Sequence, residues 1–426
     1  MREDEKANTS APADLEEMTS RLLARCDRIA ECTEREGEIT RTFLSAAMED
    51  CHAIIGGWMT AAGLEVWTDK IGNLHGLRPG KQVGAPRLLL GSHLDTVPNG
   101  GAYDGTLGVL MGLALVEAAS ELDPSFAIEV IGFSEEEGVR YKVPFLGSRG
   151  WTRTLDDSVL DQVDGDGLSM ARTIRDYVST HPAAREPEIY PSTAGYLEFH
   201  IEQGPILESM DAPLAVVEGI VGQSRALVKF YGHANHAGTT PMHLRKDALA
   251  AAAEWITHVE QTAASLEGLV ATVGQIECEP GAANVIASMA QCTLDVRHVS
   301  DDQRTSALQH MLEYAVTTGK KRGVLVEASV YLDQPVTPMN EEMVELAAKA
   351  MQWANVNPVR MTSGAGHDAM IVAPFVPATM IFLRSPGGIS HHPAESVLRE
   401  DVQTALQVGV EFLRQFELFL NKRASR

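Results

Sequence analysis

Apolar residues return at helical spacing from Met18 to Ala62 with few breakers, which predicts helical structure there. At Leu64 the period changes. LEVWTDKIGNLHGLRPG alternates, with Asn73 and Gly76 as turn signals, and predicts the strands of a hairpin. RLLLGSH, ending at His93, is a short apolar run of the buried-strand type, and GVLMGLALVEAASEL behind it is apolar on most faces and predicts a buried helix. FAIEVIGFSEEEG predicts the next strand, a helical region runs on to about Arg185, and GYLEFHIEQGPILE predicts another strand. Strands alternating with helices imply an α/β layered sheet.

A different rhythm follows. APLAVVEGIVGQSRALVKFYGHAN predicts two long alternating strands, DALAAAAEWITHVEQTAASLEG a helix, TVGQIECEPGAANVIASMAQCTLDVRH two more strands and TSALQHMLEYAVTTGKKRG a second helix. The β-β-α-β-β-α order predicts an antiparallel four-stranded sheet with two helices. The chain then returns to the α/β pattern with EEMVELAAKAMQWA, PATMIFLR and a last helix from Arg399. The expected fold is therefore α/β: a catalytic mixed-sheet domain with helices on both faces, in two parts (residues 1–212 and 331–426), plus an inserted α+β domain at 213–330. The first ten or so residues read as a tail.

Composition narrows the function. With 426 residues, 44% hydrophobic and 22% charged, two or three domains with a sizeable core are expected. A formal net charge of −23 argues against nucleic acid and anionic membrane as partners. The five cysteines are odd in number and form no CxxC pair, as expected of free thiols in a reducing compartment. The polar N-terminal stretch has no apolar leader segment and no run reaches membrane-span length, so a cytoplasmic location is expected.

Polar side chains gather where the predicted strands end. RLLLGS delivers His93 and Asp95, AIEVIGFS delivers Glu135, Glu136 and Glu137, GYLEF delivers His200, and ATMIFLRSPGGIS delivers His391 and His392; Asp104 opens the buried helix. One strand-end acid or histidine is ordinarily a cap or a surface residue. Independent caps would not place all of these at one edge of one sheet, where open α/β sheets bind ligands. The donors are imidazole and carboxylate without thiolate, a set suited to Zn²⁺, Mn²⁺ or Co²⁺ rather than to a structural cysteine site. Two ions sharing a carboxylate can activate water and polarise a carbonyl, and a carboxylate left over can serve as base.

GSHLDTVPNGGAYDG, SEEEGVRY, HIEQGP, GHANHAGTTPM, GAANVIA, LDVRH, SGAGHDAM and GGISHHPAE, spanning Gly91 to Glu395, together resemble the hydantoinase/carbamoylase branch of the M20-type metal-dependent amidohydrolases. The resemblance implies a site of two divalent metal ions per subunit (Zn or Mn, with Co or Ni as alternatives), held by His93, Asp104, Glu137, His200 and His391 with Asp104 bridging. It implies Glu136 as general acid/base and Asp95 as the residue that holds the His93 ring. Aligning the triple glutamate on Gly138 selects Glu136 and Glu137; a register one residue earlier is the alternative. His236 is implied to stabilise the oxyanion. Gln203, Asn284, Arg297, Gly366 and His367 are implied to contact substrate, with Asn284 and Arg297 converging on one anion.

The implied reaction is hydrolysis of a carbamoyl (ureido) C–N bond in a small carboxylate. Allantoate is the first-choice substrate; N-carbamoyl-L-amino acids, N-carbamoyl-β-alanine and ureidoglycolate are the alternatives. An M20 dipeptidase stands further off, and so does a non-catalytic metal-binding protein, which would need neither Glu136 nor His236. The resemblance also implies a homodimer built through the inserted domain, with His236, Asn284 and Arg297 reaching a metal site of their own chain or of the partner.

Overall fold

Helices α1 (Leu15–Ala30) and α2 (Ala46–Ala61) occupy the first periodic stretch of the computed structural model, which describes residues 15–424; the expected tail lies outside the described residues. Ser45 caps α2 by accepting from the Met48 amide at 3.2 Å. The hairpin follows as β1 (Glu65–Thr68) and β2 (Leu74–Arg78), antiparallel with Thr68 opposite Leu74. Then come β3 (Arg87–His93), α3 (Thr106–Leu122), β4 (Ala127–Phe133), α4 (Leu146–Trp151), α5 (Met170–Thr180), β5 (Thr193–Ile201), α6 (Ile206–Ser209) and β6 (Leu214–Ile220). As its all-round apolar sequence requires, α3 is buried along nearly its whole length.

The described residues divide into two bodies: residues 15–218, 339–361 and 366–424, and residues 219–338 with 362–365. In the second body lie β7 (Gly222–Tyr231), α7 (Ala248–Ser265), β8 (Val270–Thr272), β9 (Ile276–Glu279), β10 (Met289–His298), α8 (Asp301–Arg322) and β11 (Leu325–Gln334). The second body closes on β12 (Thr337–Pro338), and along the chain then come α9 (Glu341–Trp353), β13 (Val359–Ser363), α10 (Asp368–Val372), β14 (Ala378–Leu383) and α11 (Arg399–Ala424).

The first body's sheet runs β1-β2-β4-β3-β5-β14-β6. Its centre is parallel, β4 with β3, β3 with β5 and β5 with β14, while β2 and β6 join antiparallel. Every residue of β3, β4 and β14 is buried, the mark of a sheet covered on both faces. Parallel pairing brings the carboxyl ends of β3, β4, β5 and β14 to one edge.

The second body is smaller and antiparallel, in the order β11-β7-β10-β8 with β9 also paired to β10. Two expectations need correction here. The first strand expected of the inserted domain, β6, belongs to the large sheet, because LAVVEGI is apolar on both faces whereas β7 alternates buried and half-buried residues. The element order of the second body is consequently β-α-β-β-β-α-β, with β11 supplying the edge. The expected four strands are five, because β8 and β9 share one side of β10. Ala226, Val228, Phe230, Cys292, Leu294 and Val296 face Trp255 and Met311 of the two helices in one core. Trp255 Nε1 donates to the Met311 carbonyl at 2.9 Å and ties α7 to α8. Ser300 caps α8, whose first turn carries Asp301 and Asp302 and whose last carries Lys320, Lys321 and Arg322, in line with the helix dipole.

Among the described residues no helix is long and apolar enough to cross a membrane.

Candidate metal centre

His93 is the last residue of β3, and His200 lies one residue from the end of β5. The segment Ser134–Glu137 follows β4, and His391 follows β14 by one loop. Asp104 sits directly before α3, whose N-cap Gly105 has φ +64°. A Cβ on Gly105 would lie 2.4 Å from the His93 ring, so only glycine lets the start of the helix rest on that imidazole.

These elements bring together His93, Asp104 and His200, all buried, and Asp104, Glu137 and His391; within each set one ligand-type atom per residue lies within 4.8 Å of the others. Asp104 belongs to both. His93 Nδ1 is 3.0 Å from the Asp95 carbonyl, and His200 Nδ1 is 2.9 Å from the Ile201 carbonyl. A carbonyl accepts only from an N–H, so in each neutral ring Nε2 carries the lone pair. Those two Nε2 atoms stand 3.4 Å apart. They are 3.5 Å (His93) and 3.1 Å (His200) from Asp104 Oδ1, an oxygen that is buried and has no hydrogen-bond partner. On the other side His391 Nε2 is 3.4 Å from Asp104 Oδ2 and 3.3 Å from Glu137 Oε1.

Lone pairs facing one another around an orphaned carboxylate oxygen are unfavourable without a cation between them. The donor set therefore fits divalent metal on both sides of Asp104. Burial alone would raise the Asp104 carboxyl, but His200, His391 and His93 hold it well below the usual range.

The three consecutive glutamates do different things. Glu135, in a left-handed conformation at φ +49°, turns its carboxylate away to accept the amides of Phe43 at 3.0 Å and Arg140 at 2.7 Å. Burial, reinforced by Asp95, pushes it up to about 8. Glu136 and Glu137 are the pair that reach His93. Glu136 is buried, and burial together with Glu137, Asp368 and Asp95 raises its carboxyl well above the usual range against the pull of His93.

Asp95 meets the His93 ring through its main chain. Its main-chain carbonyl takes the His93 Nδ1 bond, while its carboxylate stands 3.5 Å from that nitrogen. That carboxylate instead accepts the amides of Glu136 at 2.9 Å and Glu137 at 3.1 Å, and so holds the glutamate turn.

Gln203, expected to meet substrate, donates from Nε2 to Asp104 Oδ2 at 2.9 Å and leaves Oε1 buried without a partner. Gln203 and His391 both have positive φ, 59° and 57°. Such conformations cost energy and cluster where geometry is functional. His367, expected to contact substrate, is buried with its ring 4.4 Å from that of His200. Burial, then His200, lowers it far below the ordinary histidine value. Gly366 is where it must be for that packing, since a Cβ there would come within 2.8 Å of the Phe145 ring.

Three residues around the centre escaped the sequence reading. Ser390 Oγ donates to Asp104 Oδ2 at 2.8 Å. Glu395 Oε1 accepts the amides of Tyr103 and Asp104, both at 3.0 Å, and Glu198 accepts from Ser92 Oγ, Tyr196 OH and the Ala369 amide. The signal for the first two lay inside GGISHHPAE, as polar residues one before and four after a metal-type histidine.

The second body carries the remaining expected residues. Asn284 is not on a strand but in the β9–β10 connection, where its carbonyl accepts the Ala237 amide at 2.9 Å beside exposed His236. His236 Nδ1 accepts the Gly238 amide at 3.1 Å, so the neutral ring offers an Nε2–H outward. Arg297 is elsewhere. It stands opposite Gln223 at the start of β7, whereas the His236 loop follows the end of β7 at Tyr231, opposite Met289. Eight strand steps separate those ends, about 27 Å at ~3.4 Å per residue. Within one chain Asn284 and Arg297 do not converge on one anion; the expectation failed because GAANVIA was read as a strand.

The model of the peptidase family M20/M25/M40 matches residues 89–415. A probable allantoate deiminase of Oryza sativa subsp. japonica is 36% identical over 92% of this chain and 87% of its own length. An N-carbamoyl-L-amino acid amidohydrolase of Geobacillus stearothermophilus is 35% identical over 91% of this chain and 96% of its own. Among solved structures, a hydantoinase/carbamoylase family amidase from Burkholderia ambifaria superposes with TM-score 0.85 at 31% identity, covering 93% of this chain and 96% of that one. The chain belongs to the M20/M25/M40 peptidase family, in its hydantoinase/carbamoylase branch, and is a hydrolase of C–N amide bonds.

Proposed function

We propose that this protein is an allantoate amidohydrolase, and that His93, Asp104 and His200 with Glu137 and His391 hold two divalent ions, Zn²⁺ or Mn²⁺. The observation that carries the reading is Asp104, shared by two sets of donors, with a buried oxygen facing two imidazole lone pairs. When bound, such a metal pair supplies Lewis acidity and lowers the pKa of a water.

The chain's own residues do the rest. Glu136 takes the proton of the attacking water and passes it to the leaving nitrogen. Its buried setting, which raises its pKa, suits a group that must both accept and return a proton near neutral pH. His236 donates Nε2–H to the oxyanion. Arg297 grips the substrate carboxylate through its planar fork. Gln203, Asn284 and the Gly366–His367 loop orient the ureido group, with His367 acting through its packing on His200.

The separation of Arg297 from the His236–Asn284 pair supports a homodimer in which the two sets serve different copies. The edge strand β11, with Leu325, Val330 and Tyr331 exposed, is suited to a second copy of the chain. The five thiols accord with work in the cytoplasm. N-carbamoyl-L-amino acids are the second reading, favoured by the near-equal identity to the bacterial amidohydrolase that carries their name.

The test is ammonia release from allantoate, ureidoglycolate, N-carbamoyl-β-alanine and N-carbamoyl-L-amino acids, with chelator or with added Mn²⁺. Fastest metal-dependent turnover of allantoate is expected. No turnover of any ureido compound by the metal-loaded protein overturns the reaction class.

A further inference from the structure

On the sheet face of the second body that points away from α7 and α8, four polar side chains meet across β7 and β10. Arg225 stands opposite Asp295, and Gln223 opposite Arg297. Asp295 is their hub. Its Oδ1 accepts Arg297 Nε at 2.9 Å, and its Oδ2 accepts Arg297 Nη2 at 3.2 Å, Arg225 Nε at 2.9 Å and Gln223 Nε2 at 2.5 Å. Arg297 Nη1 donates to the Gly364 carbonyl at 2.6 Å.

A guanidinium has five N–H groups. Asp295 takes the Nε edge and Gly364 takes one hydrogen of Nη1, which leaves one N–H on each terminal nitrogen. Burial would raise the Asp295 carboxyl, but Arg297, Arg225 and Gln223 hold it below the usual range, so it stays an acceptor. One carboxylate between two guanidiniums also leaves the patch one positive charge in excess. An ordinary surface ion pair would need neither the second arginine nor the carbonyl clamp.

We infer that Asp295 is a positioning residue that fixes which N–H groups of Arg297 face a substrate carboxylate, and that Arg225 supplies the surplus charge that makes this patch select an anion. The inference rests on the reading of Arg297 as the carboxylate grip, and extends it to the residues that set its aim and selectivity. Because Asp295 itself repels an anion, its presence beside Arg297 requires the Arg225 charge; the two act as a unit.

The test compares KM and kcat of the metal-loaded full chain for allantoate and for its primary carboxamide. Asp295→Asn should raise KM for allantoate about tenfold, the scale of one misaimed charge-assisted hydrogen bond, with kcat within about twofold and the carboxamide little affected. Asp295→Glu should recover part of the loss. Arg225→Gln, at a half-exposed side chain outside the hydrophobic core, should raise KM for allantoate and flatten its dependence on salt.

Arg297→Met is the control. If it raises KM for allantoate alone while Asp295→Asn and Arg225→Gln leave KM unchanged, the inference is overturned and the reading of Arg297 stands. If Arg297→Met itself leaves KM unchanged, the reading of Arg297 fails and the inference falls with it. Equal losses on acid and carboxamide in Asp295→Asn would reduce Asp295 to a support of the sheet and overturn its positioning role.

Discussion

Asp95→Asn separates two accounts of one buried carboxylate. In the structure both oxygens accept main-chain N–H groups, Glu136 at 2.9 Å and Glu137 at 3.1 Å. Asparagine offers one oxygen and one NH₂, so one amide loses its acceptor and faces a donor. A hydrogen bond to a charged group contributes about 1.5–3 kcal/mol, and the bond that survives is weakened by about half, so the turn loses about 2–4 kcal/mol of restraint. Glu136 and Glu137 begin at that turn, next to Glu135 in its left-handed conformation. The expected result is a fall in kcat of about 10²-fold, the scale of a small misplacement of a reacting group. Metal should weaken about 10- to 100-fold at the Glu137–His391 position, leaving the His93–His200 position near its original affinity. The assay is Co²⁺ titration, followed by absorbance as the two positions fill, with kcat measured on the same samples. Loss of the His93–His200 position first would refute the turn-holding role and restore the reading in which the carboxylate orients His93. Unchanged kcat and unchanged binding would refute both.

Glu136→Gln should lower turnover by about 10²- to 10⁴-fold while both ions stay bound, read as ammonia release and metal content of the same protein; loss of metal would make Glu136 a ligand and shift the register of the triple glutamate. Gly105→Ala should cost about 1–2 kcal/mol for a side chain at positive φ and also displace the His93 ring, so that unfolding temperature and metal affinity fall together. His75 gives a pH signature away from the site. Burial lowers its pKa, but bonds to Asp69 and Glu129 more than offset this and raise it to about 9 from 6.5. A raised folded-state value stabilises the fold fully below about pH 6.5 and is lost as pH rises through about 9, a contribution of order 3 kcal/mol by linkage. Stability of the wild type should decline across that window and that of His75→Gln should decline less; parallel curves would remove His75 as the cause.

The residues legible in the sequence are those whose chemistry conflicts with their surroundings. His93, Asp104, His200 and His391 are polar groups placed against apolar strands or a buried helix, and parallel pairing makes one edge of them. What stayed hidden depended on directions that a residue list does not contain. SEEEG says that three carboxylates follow β4, but which of them faces inward is decided by the φ of +49° at Glu135 and by Asp95 catching the next two amides. The Gly-rich loop at His367 reads from the sequence as a substrate-contact loop, with no sign of which way the histidine turns. Here glycine at 366 makes room for the Phe145 ring, and the histidine beyond it packs inward on His200.

The reassigned strand β6 shows the same limit in the fold. Its pattern marks a strand equally well in either sheet, and only its apolar residues on both faces favour the large one. Asn284 and Arg297 carry the most consequence. Thirteen residues apart and read as lying on successive antiparallel strands, they suggested one binding site, yet Asn284 lies before β10 and Arg297 near its far end, so the length of that strand separates them. Once they lie at opposite ends of β7 and β10, a single copy cannot bring both to one small anion. On the proposed reading, in which one substrate needs both sets of groups, two chains would have to supply them, and the oligomeric state would be part of the chemistry and not an accessory to it.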